Sequence, residues 1–270
     1  MPELPVDLPL PRGRGAFVVA HPGHELRVHG FLEALQPIVF VLTDGSGGAG
    51  ESRLQLTRHL VERAGARCGS IFGYFTDRAL YEAILHGELQ RFTSLVDELA
   101  QELEGQGSAY VAGDATEGYN PAHDVCRLLV DAAVTIVSAR QGRALGNFAF
   151  PLTGLPSVPP CGCGDNAVRL TLDASAYQRK LQAARDYYPL RHEVDDAVHA
   201  AGPTAFQDER LFPVLASALD GMQPAEAPFY ERYGQQQVAA GRYRQVLQYR
   251  EHFSPLRQAI ALHVKATLAT

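Results

Sequence analysis

The stretch AFVVAHPGHE, from Ala16 to Glu25, decides the fold. Five small or apolar residues without polar alternation describe a strand buried on both faces, as strands of a parallel sheet are. His21-Pro22-Gly23-His24 then breaks the run, and helical spacing follows from about His24 to Leu35. The same grammar repeats downstream. Pro37–Thr43 (PIVFVLT) reads as a second buried strand, Asp44–Gly50 as a glycine-rich loop, and Glu51–Ala64 as a helix closed by Gly65. Cys68–Phe72 and Ser108–Ala112 read as strands three and four, with helical spacing over 79–104 and 122–138. Val168–Leu172 reads as a further strand and Ala174–Tyr187 as a helix, while Pro151–Gly164 has the composition of a surface loop. Strands alternating with helices imply parallel pairing in a Rossmann-like, layered α/β/α domain.

Three segments are expected: an N-terminal proline-rich arm over 1–15, the α/β domain over 16–200, and a helical C-terminal extension over 201–270. The 270 residues are 46% hydrophobic and 20% charged, an ordinary globular balance. A net charge of −6 argues against general binding to nucleic acid, which needs a basic footprint. No apolar run is long enough to span a membrane, and the first fifteen residues carry no apolar signal-peptide core. Four cysteines are too few for a disulfide scaffold in a chain of this length. A cytoplasmic location is the expectation, with the oligomeric state left open to a homo-oligomer.

In open α/β sheets ligands bind beyond the carboxyl ends of the strands. His21 and His24 fall there after the first strand, and His123 follows the fourth strand at the same edge. Two histidines three residues apart and a distant third can form a three-ligand metal site, and zinc accepts such a set while keeping one position for water. The chain holds ten histidines, so scattered surface or capping roles account for this spacing equally well.

The string VVAHPGHE resembles the strand-turn signature of the LmbE/PIG-L family of metal-dependent N-deacetylases, usually written AHPDDE. Other pieces follow in the family's order. These are VLTDG after the second strand, Arg53 at the start of the next helix, Asp77-Arg78-Ala79-Leu80-Tyr81, Glu117-Gly118-Tyr119-Asn120-Pro121-Ala122-His123 against a motif ending HPDH, and Lys180 with Ala183 as K-x-x-A. The resemblance covers about residues 16–195. It implies a divalent metal, zinc for preference, on His21, His24 and His123, one family carboxylate ligand having become an imidazole. It implies hydrolysis of an N-acyl group, N-acetyl above all, from an amino sugar or sugar-containing small molecule by a metal-bound water. It also suggests Arg53, Asp77 and Tyr119 as substrate contacts.

The same resemblance exposes losses. The family's general base is Gly23 here, the aspartate of HPDH is Ala122, and its first histidine is Asn120, which can still donate a hydrogen bond to an oxyanion. A neutral third histidine leaves a zinc centre more positive and lowers the pKa of its water, to about 7 in three-histidine carbonic anhydrase. Candidates for the missing acid–base work are Asp44, Glu117, Asp124 and Glu25, the last with a plain alternative role in the first turn of a helix. The rival reading is a catalytically altered or inactive family member that serves as a metal-containing binding or scaffold subunit.

Two further patterns are weaker. Gly45-Ser46-Gly47-Gly48-Ala49-Gly50 matches the dinucleotide-binding G-x-G-x-x-G, but the next acidic residue, Asp77, lies 27 positions on where about 20 is expected. Cys161-Gly162-Cys163 lacks the second cysteine pair of a zinc site. No G-x-S-x-G is present, so a serine-hydrolase elbow is excluded.

Overall fold

The computed structural model describes residues 10, 12–47, 50–202, 204–220 and 226–269. Of the proline-rich arm, residues 1–9 and 11 lie outside the described residues, as do Gly48 and Ala49 of the glycine-rich loop, and the arm's last two residues, Arg14 and Gly15, open the first strand.

Seven strands form one sheet in the order β3-β2-β1-β4-β5-β7-β6. β1 (Arg14–Val19), β2 (Ile38–Thr43), β3 (Arg67–Phe75), β4 (Ser108–Asp114) and β5 (Gly146–Phe150) run parallel. β6 (Val168–Thr171) and β7 (Asp208–Pro213) complete the edge with antiparallel pairing. The absence of alternation in β1 has its cause in the layers. Ala16, Val18 and Ala20 face one core, while Phe17 and Val19 face the other. The first core is closed by α3 (Asp77–Leu85), α4 (Leu89–Gly105), α5 (Pro121–Gln141) and α9 (Ser254–Leu268). The second is closed by α1 (His29–Leu35), α2 (Leu54–Arg63) and α6 (Ala174–Asp186). α8 (Phe229–Ala239) adds Tyr230 to the first core, and α7 (Arg191–Ala201) packs Val194, Ala197 and Val198 against the second. No helix among the described residues is long and apolar enough to cross a membrane.

Several elements differ from the sequence reading. The helical run over 79–104 is two helices, because Gly87 takes a left-handed φ of 64° and ends the first. The helix expected from His24 begins instead as a 3-10 turn, His24–Val28, before α1. The strand GNFAF of β5 was not read, and β7 lies in the tail where only helix was expected. Its sequence DERLFP hides a strand behind charge. Glu209 points inward and is fully buried because Lys180 and two backbone N–H groups receive it.

That buried cluster fixes the entrance to the site. The Glu209 carboxylate accepts from Lys180 Nζ at 2.8 Å, from Gly30 N at 2.8 Å and from Phe31 N at 2.9 Å. Lys180 also donates to the Arg27 carbonyl at 3.0 Å. β7 and α6 thus hold the start of α1, and with it the turn that carries His24. A Cβ at Gly30 would meet Leu172 Cδ2 at 2.3 Å and Glu209 Oε2 at 3.2 Å, so a larger residue here would displace both side chains.

Candidate active site

Strand order reverses at β1, which lies between β2 and β4, and the crevice beyond such a reversal is where open α/β sheets bind ligands. Four strand ends supply the site there. β1 delivers His21 and His24, β2 ends in Thr43, β4 ends in Asp114, and Asp77 opens α3 after β3. His123 stands in the first turn of α5, a helix capped by Asn120, whose side-chain oxygen accepts from Ala122 N at 2.9 Å, and entered through Pro121.

The three imidazoles meet. Ring centroids lie 5.2 Å apart for His21 and His24, 5.3 Å for His21 and His123, and 4.7 Å for His24 and His123. His24 donates Nδ1–H to Asp114 Oδ2 at 2.8 Å, and the same oxygen accepts the Ala20 backbone N–H at 2.7 Å. His21 Nδ1 lies 2.7 Å from Thr43 Oγ1 and 2.9 Å from Asp77 Oδ1. The Thr43 hydroxyl gives its proton to the Ala20 carbonyl at 3.0 Å. Burial would raise the Asp77 carboxyl, but the hydrogen bond and charge of His21 hold it well below the usual carboxylate range. With neither partner offering a proton, His21 must donate from Nδ1.

The Nε2 of His21 is buried without a partner, as is Nδ1 of His123. An unsatisfied buried polar atom costs about 1–3 kcal/mol, so two of them on adjacent rings mark a place built for something else. Burial first, and then the neighbouring imidazoles, push His24 and His123 well below the ordinary histidine value, so both rings are neutral bases. Neutral imidazoles whose Nδ1–H is taken by a carboxylate form the usual donor set for a transition metal. In donor chemistry, then, the residues fit a divalent metal. In spacing, no group of three or more His, Cys, Asp or Glu side chains among the described residues is gathered so as to hold a metal ion.

The remaining candidates divide. Asp77, expected as a substrate contact, is committed to His21 and to Gly47 N. The Arg53 guanidinium donates through Nε to the Gly45 carbonyl at 2.7 Å, and its charge helps lower His24. Tyr119 is half exposed, with its ring 6.5 Å from that of His123. The four carboxylates considered for acid–base work all serve the backbone or the core. Glu25 accepts from Gly23 N at 2.9 Å and from the Thr57 hydroxyl at 2.6 Å. Asp44 accepts from Ser46 N and Asp77 N. Glu117 ties down the backbone of Leu152 and Thr153. Asp124, its pKa pushed up to about 7 by burial, accepts from Glu117 N and Gly118 N.

Gly23 has a structural reason as well. Its φ of 107° lies in the left-handed region, and a Cβ there would stand 2.4 Å from Leu190 Cδ1. The space a side chain would enter at this position is filled. Asp114 and Thr43 were absent from the sequence reading; an acidic residue ending a wholly buried strand beside the reversal of strand order was the available signal for Asp114.

No family model matches the sequence, and no curated protein matches it. Solved structures do. A teicoplanin deacetylase in its zinc-inhibited form superposes with a TM-score of 0.52 at 12% identity, covering 74% of this chain and 97% of that one. The antimicrobial-pseudoaglycone deacetylase Dbv21 gives 0.48 at 15% identity over 76% and 99%. At 12% identity the likeness to the teicoplanin deacetylase establishes a shared α/β fold.

Proposed function

We propose that the chain is a metal-dependent N-deacylase, a divergent relative of the LmbE/PIG-L enzymes, that removes an N-acetyl group from an amino sugar or sugar-containing metabolite. One observation carries the reading. Imidazoles from two strand ends meet with buried, unpartnered nitrogens, and two of the rings are held by carboxylates, Asp77 and Asp114. His21, His24 and His123 would hold the ion, with zinc as the first candidate. When bound, such an ion supplies a Lewis acid and a nucleophilic water at neutral pH. The chain's own residues orient and exclude. Asp114 and Asp77 orient the imidazoles, the Asn120 amide N–H₂ would serve as donor to an oxyanion, and Arg53 adds positive charge felt at His24. That the teicoplanin deacetylase shares this fold supports its suitability for such chemistry.

A second reading has its own observation. Glu25, Asp44, Glu117 and Asp124 are all engaged elsewhere, and Leu190 fills the space beside Gly23. A chain without a free protein base would bind a metal and an acylated ligand without turning it over. Metal content of the purified protein, beside a His24→Ala variant, tests both. About one equivalent of metal, lost in the variant, sustains the site, and release of acetate from N-acetylated sugars then separates enzyme from binding subunit. Since a neighbour is known in a zinc-inhibited form, cobalt and manganese belong in the same screen. Failure to take up any of these metals removes the proposal.

A further inference from the structure

Two of the four cysteines stand on one surface turn, Cys161 exposed and Cys163 half-buried, and both are free thiols. Cys163 N donates to the Pro160 carbonyl at 3.1 Å, and Gly162, between the cysteines, takes a φ of 79°. Among the described residues only glycines and Gln36 have a positive φ, so Cys161 does not. The turn is therefore of type II, with its glycine at the third position.

This turn is also held from outside. The Gly162 carbonyl accepts from Leu215 N at 2.9 Å and from Ala216 N at 3.0 Å. Gly164 N donates to the Pro213 carbonyl at 2.9 Å, and Cys163 bridges Val214. Pro159 and Pro160 restrict the entry. Consecutive Cα atoms lie about 3.8 Å apart, so a bend this sharp at Gly162 sets the two cysteine Cα atoms about 5.5 Å apart. A disulfide spans about 4.4–6.8 Å between Cα atoms. The charge of an ionised Cys161 is felt at Cys163. Closing a bond between them asks for side-chain rotation on a backbone already in place. The other cysteines are elsewhere: Cys126 donates to the Val18 carbonyl in the core, and Cys68 lies on β3, at the opposite edge of the sheet from β7.

We propose that Cys161 and Cys163 form a thiol–disulfide exchange site, which a small-molecule disulfide oxidises reversibly to an intramolecular disulfide. The Cys161 thiolate attacks one sulfur of the external disulfide, forming a mixed disulfide and expelling a thiolate that takes up the proton Cys161 lost. Cys163, deprotonated by water, then attacks Cys161 Sγ and expels the second thiolate, which takes up that proton. Two electrons and two protons pass from the cysteine pair to the reagent, which leaves as two thiols. Exposure assigns the first attack to Cys161. Burial pushes the Cys163 thiol up to about 11, so its thiolate is scarce to an outside reagent. Its own attack gains from being intramolecular. A ring closed over one intervening residue is strained, and strained or exposed disulfides are the readily exchanged kind. Neither thiol is among the residues assigned to the deacylase.

Glutathione disulfide is the probe. The full chain is equilibrated with mixtures of reduced and oxidised glutathione, quenched in acid, alkylated and digested with trypsin. Fragment 144–169, between the cleavage sites at Arg143 and Arg169, holds Cys161 and Cys163 and no other cysteine. In one transition it should lose two hydrogens and its capacity for alkylation, and it should return to the dithiol when reduced glutathione is restored. Cys163→Ser should instead accumulate one glutathione on Cys161. Cys161→Ser should react at Cys163 about tenfold more slowly than that, while urea midpoints report that both variants fold. A wild-type fragment that stays reduced, carries glutathione on both cysteines, or is joined to Cys68 overturns the proposal. Equal reactivity of the two serine variants overturns the assignment of the first attack to Cys161.

Discussion

Exchanging Lys180 for methionine strips the positive partner from a carboxylate with no solvent exposure. Glu209 would keep its two backbone donors at the start of α1, Gly30 N at 2.8 Å and Phe31 N at 2.9 Å, and the helix N-terminus favours negative charge there. Those contacts offset part of the loss, so the expected cost sits near the lower end of the 3–5 kcal/mol typical of breaking a buried pair, about 3 kcal/mol. Glu209→Gln leaves the opposite orphan. Lys180 would retain the Arg27 carbonyl at 3.0 Å and a neutral amide oxygen but no countercharge, and burial already pulls its pKa below the usual lysine value. Its cost should be at least as large. Lys180→Met with Glu209→Gln removes both charges at nearly constant volume, and should cost about 2 kcal/mol less than the two single changes summed. Urea unfolding of all four proteins, read as midpoints at a common slope, yields the coupling. Simple additivity, or a Lys180→Met cost under about 1 kcal/mol, would refute the claim that this pair locks β7 and α6 to the turn bearing His24.

Asp114→Asn should lower metal affinity about 10–100-fold by releasing the orientation of His24, measured by competition with a chromogenic chelator; unchanged affinity would show that His24 needs no carboxylate. Gly23→Ala should cost about 1–3 kcal/mol through its φ of 107° and the contact with Leu190. Leu190→Ala in the same chain should recover only the steric part, so full recovery in thermal melts would count against backbone strain. Asn120→Ala removes the cap of α5 for about 1 kcal/mol, and Asn120→Ser should restore it. Activity lost in the serine variant despite restored stability would assign the amide a role at the ligand.

The apolar runs over Ala16–Ala20 and Pro37–Thr43 left little choice of fold, because a strand covered on both faces can carry no polar alternation, and the intervening helical spacings then required parallel neighbours. The meeting of His21, His24 and His123 was legible for a related reason: all three follow strand ends at one edge of the sheet, and the motif carried their spacing. What lay beyond reading depended on partners far along the chain. β7 could not be recognised in DERLFP, since Glu209 is an inward residue only in company with Lys180 and the N–H groups of Gly30 and Phe31. Asp114 closes an apolar strand, and only the parallel register of β1 and β4 brings it beneath Ala20 and His24. The carboxylates near the histidines in sequence proved to be backbone acceptors, since a loop's N–H groups must be satisfied by whatever acceptor the fold brings near. Local sequence determined which segments became buried strands and where chemistry-bearing side chains would emerge. Tertiary structure decided which of those side chains remained free, because hydrogen-bond partners are assigned by three-dimensional proximity and burial.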